Sequence, residues 1–347
     1  MAVTTENNEK WNFRTLLGQG VFVDVSFHLT SPRLVLPFLY MAIGAPVVFG
    51  GLILPIVQGS NMVSQLIAAP IIGASKYRKW YMLLALITFT SALAIIGIAL
   101  QPPNTAWLAL LFLVVAVVMG ACQAMSSLTF QDLLGRILTK DRRNALLFTQ
   151  ATLAGLLAIG IALYSQRDVG DTTALDRHLE LLWAGVFLAF FASMLATLIR
   201  ETPHQPPDSH AGTAAVQPGP KGLAREFLSA LGLSWFRRYM TTRALFLSVE
   251  LATPFYAIHA ASIHAQNHKG LGAFVIMSSL GYMVGGIVWQ RFAKASIPTV
   301  MSLASIVAII AGGIAIAADT EPRLQNEWFH AMVFFCIALA GQGVQAS

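Results

Sequence analysis

Ten apolar segments, each long enough to cross a lipid bilayer, follow one another along this chain of 347 residues. They cover residues 18–40, 47–73, 82–100, 106–127, 145–164, 181–199, 244–262, 271–289, 297–317 and 328–347. A helix needs about 17–25 residues to cross the hydrocarbon core, and continuous rather than alternating apolarity excludes a β-barrel. Charged residues make up 11% of the chain, against roughly 25% in soluble domains. The sequence therefore predicts an all-α integral membrane protein.

Basic residues are concentrated in alternate loops between these segments. If the N-terminus is cytoplasmic and the spans alternate, 17 of the 22 Lys and Arg residues fall on the cytoplasmic side and 4 on the other, with Arg33 inside the first segment. Such asymmetry is the positive-inside rule, and it predicts a cytoplasmic N-terminus. Topology and anionic lipid headgroups then account for the net charge of +6, so no nucleic-acid partner is indicated.

A segment rich in proline separates the first six spans from the last four. Residues 201–222 contain five prolines among Ser, Gly and Ala, which prevents a continuous helix and predicts a flexible cytoplasmic linker. Residues 223–242 mix Leu, Phe and Trp with arginines, as in a helix that lies on the membrane surface. We therefore expect a six-helix bundle at 1–200, a linker with an interfacial helix at 201–243, and four spans at 244–347.

Short sequence matches indicate that the two halves are related. Residues 33–38 (RLVLPF) match residues 250–255 (ELATPF) in part. Residues 121–124 (ACQA) likewise match residues 343–346 (GVQA). In addition, the second and eighth segments both run into a basic loop. A constant offset of six spans predicts duplicated halves, related by an axis along the membrane normal.

The chain resembles the major facilitator superfamily of membrane transporters. Residues 31–38 (SPRLVLPF), 132–136 (DLLGR) and 253–256 (TPFY) look like a divergent bacterial permease branch. The resemblance implies two bundles of six spans each, so ten spans suggest a chain truncated by about two at its C-terminus. One feature departs from the family pattern, because the loop after Gly73 has the basic residues but no acidic residue between them. The charge-relay latch formed by this loop in many members is therefore in question.

Polar residues at membrane depth are the candidates for contact with solute or protons. A charge there costs at least a few kcal/mol, so it usually faces a water-filled cavity or a partner. The resemblance implies that spans one, four, seven and ten line a central cavity. The candidates for substrate contact or proton coupling are Glu250, Arg33, Asp24, His28, Gln123, Gln345 and Tyr256.

Glu250 is the only acidic residue that the second half places inside a predicted span. Such a carboxyl can couple proton movement to transport. Alternatively, it forms an ion pair with Arg33 that fastens the two halves, and a pair that forms in one state and breaks in another satisfies both interpretations. Asp24 and His28 are four residues apart and share a helix face. They either relay a proton or bind a cationic substrate, or else Asp24 is simply hydrated near the cytoplasmic end.

A second group of charged residues is predicted at the cytoplasmic ends of the spans. Asp132 and Arg136 have helical spacing, and with Arg142 and Arg143 we expect them to stabilise the conformation that is closed toward the cytoplasm. The candidates for gating or for a cytoplasmic latch are Asp132, Arg136, Arg142, Arg143, Lys76, Arg78 and Arg291.

Three function classes remain to be distinguished. The sequence has no Gly-x-x-x-x-Gly-Lys-Ser/Thr loop, so ATP is not expected as the direct energy source. It has neither His-Glu-x-x-His nor Gly-x-Ser-x-Gly, and we expect no enzyme activity, cofactor or metal. We predict a monomeric secondary transporter of a small solute in the bacterial inner membrane, with protons as the candidate coupling ion. The alternative is a non-transporting accessory or sensor protein of the same fold.

Overall fold

The computed structural model describes residues 2–100, 105–167, 173–201, 229, 231–264, 266–267, 269–293, 297–321 and 324–346. These ranges form eleven α-helices and contain no β-strand. The helices are α1 (Ala2–Leu29), α2 (Val35–Ala42), α3 (Val47–Ala74), α4 (Lys79–Ala99), α5 (Thr105–Ile137), α6 (Lys140–Ser165), α7 (Ala174–Thr197), α8 (Ser234–His264), α9 (Gly270–Ala293), α10 (Ile297–Thr320) and α11 (Glu327–Ala346).

Seven of these helices are long and apolar enough to cross a membrane, namely α3, α4, α5, α6, α7, α9 and α10. The other three predicted spans correspond to α1 with α2, to α8 and to α11, which do not meet the same requirement. In α8, arginines and Glu250 lower the mean hydropathy of the helix. The chain is thus a multi-pass membrane protein, and the number of ten spans stays a prediction.

The predicted first span, residues 18–40, is not one helix. It breaks between Leu29 and Val35, where Pro32 has no backbone N–H to donate and restricts the residue before it to extended conformations. The carbonyl of Ser31 accepts from the backbone N–H of Leu36 at 3.0 Å, which turns the chain into α2. As a result, Arg33 lies on a turn between two helices rather than on a helix face.

The predicted linker lies mostly outside the described residues, which resume at 229 and 231. From Ser234 onward, the segment predicted to lie on the membrane surface forms the first part of α8, which continues without a break into the predicted seventh span. Its position at the membrane surface stays a prediction. The division of the chain into bundles of residues 1–200 and 244–347 stays a prediction. For convenience, we call α1–α7 the first half and α8–α11 the second half.

Each half has its own helix packing, and several helix contacts join the halves. In the first half, α1 packs against α6 and α7, α3 against α5, and α4 against α5 and α7. In the second half, α9 and α10 both pack against α11. Between the halves, α6 contacts α9, while α8 contacts both α2 and α3. The space left between these contacts holds the candidate site.

In the first half, the described parts of the loops predicted on the cytoplasmic side lie together at one end of the molecule. Asn12 of α1 donates from Nδ2 to the carbonyl of Arg200 at 2.9 Å, and Glu9 lies 3.5 Å from Nε of Arg142. We call this the basic end. At the opposite end, Asn267 donates to Oε2 of Glu327 at 2.7 Å, which joins the loop before α9 to the start of α11.

Candidate functional site

A cavity of about 960 Å³ lies between the two halves. This volume is at the upper end of the ~300–1,000 Å³ typical of small-molecule sites. Its walls come from α1, the turn after it, α3, α5 and α6 in the first half, and from α9 and α11 in the second. The polar side chains that line it are Asp24, His28, Ser31, Arg33, Gln58, Asn61, Gln123, Thr152, Ser279, Tyr282 and Gln342.

An ion pair at this cavity joins the two halves. Arg33, on the turn after α1, places Nη2 3.3 Å from Oε1 of Glu250 on α8. Its Nη1 donates to the hydroxyl of Tyr282 on α9 at 3.1 Å. Gln58 of α3 donates to the other carboxylate oxygen of Glu250. Because Arg33 and Glu250 are about one fifth exposed, the pair is accessible from the cavity but shielded from bulk solvent.

Asp24 has a neutral partner instead of a cation. Its Oδ2 accepts from Nε2 of Gln150 on α6 at 2.7 Å, and no basic side chain among the described residues forms an ion pair with it. Gly20, one helical turn earlier, makes this contact possible because a Cβ there would overlap the amide of Gln150. The next residue along the same face, His28, packs its ring against Tyr282 with centroids 5.2 Å apart.

The structure brings most of the predicted cavity residues together. Asp24, His28, Arg33 and Gln123 line the cavity, and Glu250 contacts it through its hydrogen bonds. Two residues do not fit this grouping. Tyr256 packs between α10 and α11 against Ala311 and Val333, away from the cavity lining, and the side chain of Gln345 lies outside the described part.

Several lining residues were missed by the sequence reasoning. Gln58 and Asn61 are polar residues three positions apart within an apolar segment, which is the signal that identified Gln123. They were missed because the family resemblance did not assign α3 to the cavity, and the same is true of Tyr282 on α9. Gln342 lies three residues before Gln345 on α11, so the short repeat match pointed to this helix but to a different amide.

A second charged cluster lies at the basic end. Arg78 is almost fully buried and forms an ion pair with Asp132 of α5. Asp132 also lies 2.9 Å from Nε of Arg136 on the next turn. The carboxylate of Glu201 accepts the backbone N–H groups of Arg78 and Lys79 at 2.9–3.0 Å. Thus Asp132 and Glu201 provide the negative charge that the basic loop after Gly73 itself lacks.

The remaining latch candidates are scattered around this end. Lys76 lies 5.8 Å from the ring centroid of Tyr77, and Arg142 pairs with Glu9. Neither Arg143 nor Arg291 forms an ion pair with another residue that the structure describes. The ion pairs of the basic end therefore join elements of the first half, and a latch between halves stays a prediction.

The cavity is closed at the opposite end by contacts between the halves. Phe38 of α2 packs edge-on against Phe274 of α9, with ring centroids 5.9 Å apart. Nearby, α3 approaches α8 so closely that a Cβ on Gly51 would overlap the ring of Phe255.

Lining residues are more exposed toward the basic end. On α3, exposure rises from 2% at Leu54 to 69% at Met62, and α3 runs from the opposite end to the basic end. On α9, which runs in the same direction, Ser279 is 1% exposed and Ile287 is 55% exposed. The cavity therefore opens toward the basic end.

Two histidines of α8 lie at the closed end of the cavity. His264 at the end of α8 places Nε2 3.3 Å from Nδ1 of His330 on α11. His259 lies 3.8 Å from Asp319. Within the described part of the chain, no three His, Cys, Asp or Glu side chains are arranged to hold a metal ion.

Known proteins similar in sequence to this chain include two that are themselves uncharacterized. No family model matches the sequence. The uncharacterized proteins Rv2209 of Mycobacterium tuberculosis (strain ATCC 25618 / H37Rv) and Mb2232 of Mycobacterium bovis are each 26% identical to the chain over 339 residues, or 96% of it. The chain spans 64% of the length of these relatives.

Among solved structures, the nucleoside transporter NupG superposes with a TM-score of 0.60 at 13% identity, over 95% of this chain and 80% of NupG. A NupG mutant gives 0.63 at 11% identity, over 94% and 80% of the two chains. A bacterial homologue of the human lysosomal transporter Spinster, in an inward-facing and unoccupied conformation, gives 0.51 at 15% identity, over 98% and 75%. Both proteins are transporters of the major facilitator superfamily.

The chain has the fold of the major facilitator superfamily. This confirms the fold that the sequence motifs implied. At these identities the likeness concerns the fold, so the chemistry of the cavity has to be argued from its own side chains.

Proposed function

We propose that this protein is a secondary transporter that moves a small solute across the membrane by alternating access. The observation that carries the proposal is a cavity of substrate size between two halves, open at one end, closed at the other and crossed by an ion pair between Arg33 and Glu250.

The direction of the opening follows from the predicted topology. If the basic end is cytoplasmic, as the positive-inside rule indicates, the structure represents the inward-open state. The outward-open state then requires separation of Phe38 from Phe274 and of Gly51 from Phe255 at the opposite end. These contacts are between apolar groups, which can separate without leaving a charge unpaired.

Two acidic residues have different parts in this proposal. Glu250 accepts hydrogen bonds from Arg33 and Gln58, so its charge is balanced in this state and it serves to hold the halves together. Asp24 has only the amide of Gln150, and a charge at membrane depth without a cation is costly. Binding a proton removes that charge, which makes Asp24 the better candidate for coupling transport to proton movement.

The test is solute accumulation in proteoliposomes. Protein expressed from its complete reading frame would be reconstituted with an inward proton gradient and a mixture of small solutes, and the vesicle contents analysed by mass spectrometry. We expect at least one solute to accumulate with the wild type and not with Arg33→Gln. No accumulation by a well-folded wild type would contradict the proposal and favour the non-transporting accessory or sensor protein. Because NupG is a nucleoside transporter, nucleosides belong in the mixture.

A further inference from the structure

The charged side chains of the cavity are already engaged by protein groups. Arg33 is paired with Glu250 and also donates to Tyr282. Asp24, the acidic residue that lines the cavity, accepts from Gln150. A phosphate or carboxylate on a solute would therefore have to displace Glu250 from Arg33 and leave that carboxylate without its cation. Removing one partner of a shielded ion pair is costly because the other charge stays uncompensated.

The hydrogen-bonding groups that stay free are neutral. Gln123 of α5 and Gln342 of α11 line the cavity from the two halves, and neither side chain bonds to another described residue. Ser279 of α9 also lines it, and its hydroxyl is buried without a hydrogen-bond partner among the residues that the structure describes. Asn61 of α3 accepts from Gln65 but has its amide N–H groups unused by described residues. Buried polar groups are nearly always satisfied, by protein, water or ligand.

Apolar side chains line the same cavity beside these amides. Phe148 and Leu147 come from α6, Met62 from α3, and Met283 and Ile287 from α9. Phe148 is 56% exposed, so its ring is not covered by neighbouring protein. Aromatic rings and thioethers bind the faces of planar ligands well, since both are polarisable and the aromatic ring can stack.

We propose that the cavity binds an uncharged solute that combines a planar ring with several hydroxyl or amide groups, which is the chemistry of a nucleoside. This inference rests on the proposed transport function, since it names the solute class of the same cavity. The ring packs against Phe148 of α6 and Met283 of α9, which lie on two helices in contact with each other. The polar part donates to and accepts from Gln123, Gln342 and Ser279, while Arg33 keeps its pairing with Glu250.

Binding of four kinds of probe to the purified protein in detergent tests this class. The probes are a nucleoside (uridine or adenosine), the corresponding 5′-monophosphate, the free base and ribose, measured by isothermal titration calorimetry. We expect the nucleoside to bind at least about tenfold more tightly than each of the other three. The monophosphate adds a charge, whereas the base and ribose each lack half of the contacts. A monophosphate that binds as tightly as the nucleoside, or no nucleoside binding by folded protein, would overturn the inference.

Two variants and one control assign the binding to this cavity. Gln123→Leu and Ser279→Ala each remove a neutral polar group from the lining, and we expect each to weaken nucleoside binding about tenfold. Ser91→Ala is the matched control, because Ser91 lies on α4, outside the cavity lining, and its hydroxyl donates to the carbonyl of Ile87 in its own helix. Equal affinity in all three variants would place the nucleoside outside this cavity and contradict the inference.

Measurements of nucleoside binding and of solute flux distinguish the proposed transport function from the proposed solute class. Nucleoside binding without accumulation in proteoliposomes would support the solute class and contradict transport. Accumulation of a charged solute, with no nucleoside binding, would support transport and overturn the solute class.

Discussion

Two arginine–carboxylate pairs in this protein have the same chemistry but join different parts of the molecule. At the cavity, Arg33 pairs with Glu250 across the boundary between the halves. At the basic end, Arg78 pairs with Asp132 within the first half. Arg78 is also the more buried arginine, with 5% of its side chain exposed against 22% for Arg33.

The difference shows how one interaction can serve either stability or conformational change. In the proposed alternating-access cycle, elements of one half stay together, so we expect the pair of Arg78 and Asp132 to be present in every state and to contribute to folding throughout. The pair of Arg33 and Glu250 depends on the distance between halves. In the proposed cycle we therefore expect it to contribute to the balance between states, since rearrangements of interface ion pairs are a common part of such transitions.

The largest expected effect is a loss of stability at the basic end. Arg78→Met leaves Asp132 with only Arg136 and removes a buried cation, and we expect it to lower the free energy of unfolding by about 3 kcal/mol. A thermal melt in detergent measures this. Arg291→Met is the control, since Arg291 is exposed and forms no ion pair with a described residue. Equal melting temperatures for the two variants would contradict a stabilising role for the pair of Arg78 and Asp132.

The cavity pair is expected to affect transport more than stability. Arg33→Gln and Glu250→Gln should each lower the initial rate of solute uptake about 30-fold, which corresponds to about 2 kcal/mol at 1.4 kcal/mol per tenfold. Their melting temperatures should change less than that of Arg78→Met, because both side chains are partly exposed. The charge-exchanged double variant, Arg33→Glu with Glu250→Arg, should recover part of the uptake rate. A double variant as slow as the single ones would contradict a pairing role.

A smaller effect is expected at Asp24. Asp24→Asn keeps a hydrogen-bonding group for Gln150 but cannot exchange a proton. We expect about a tenfold loss of uptake driven by a proton gradient, with solute exchange between the two sides of the vesicle unchanged. Exchange is measured with labelled solute outside and unlabelled solute inside. Loss of both activities would assign Asp24 to solute binding or folding instead of proton coupling.

The smallest expected effect concerns the closed end. A Cβ on Gly51 would overlap the ring of Phe255, so Gly51→Ala should hold α3 and α8 further apart and shift the population several-fold toward states open at that end. Spin labels at Val48 and Ser262, on these two helices, measure the distance. Gly59→Ala is the control, because a Cβ at Gly59 meets nothing within 4 Å. The same distance distribution for both variants would show that closure does not depend on this contact.

Much of the fold was predictable because it depends on local properties. Long apolar segments and the distribution of basic loops both depend on the free energy of moving individual side chains between water and lipid, which can be assigned residue by residue. The break at Pro32 also has a local cause, since the restriction on the residue before proline is independent of the fold. It was not predicted, because residues 18–40 form an apolar run long enough to be taken as one span.

The candidate site was predictable only in part. Arg33, Asp24 and Gln123 were found because a polar residue in an apolar segment is conspicuous. Tyr256 was included for its place in a motif, and it packs against α10 and α11 instead. Gln58 was missed because the sequence does not indicate which face of α3 meets the cavity.

Apolar segments of spanning length are enough to predict that this chain enters a membrane as helices, and the distribution of Lys and Arg predicts which loops share one side. The sequence also predicts that a few polar groups are placed at membrane depth, because each of these outcomes depends on the exchange of single residues between water and lipid. The partners of these polar groups follow from the packing of the helices. Arg33 meets Glu250 across 217 positions of sequence, and Asp24 meets Gln150 across 126. Such pairings depend on how helices rotate and pack against one another, which no local property of the chain specifies.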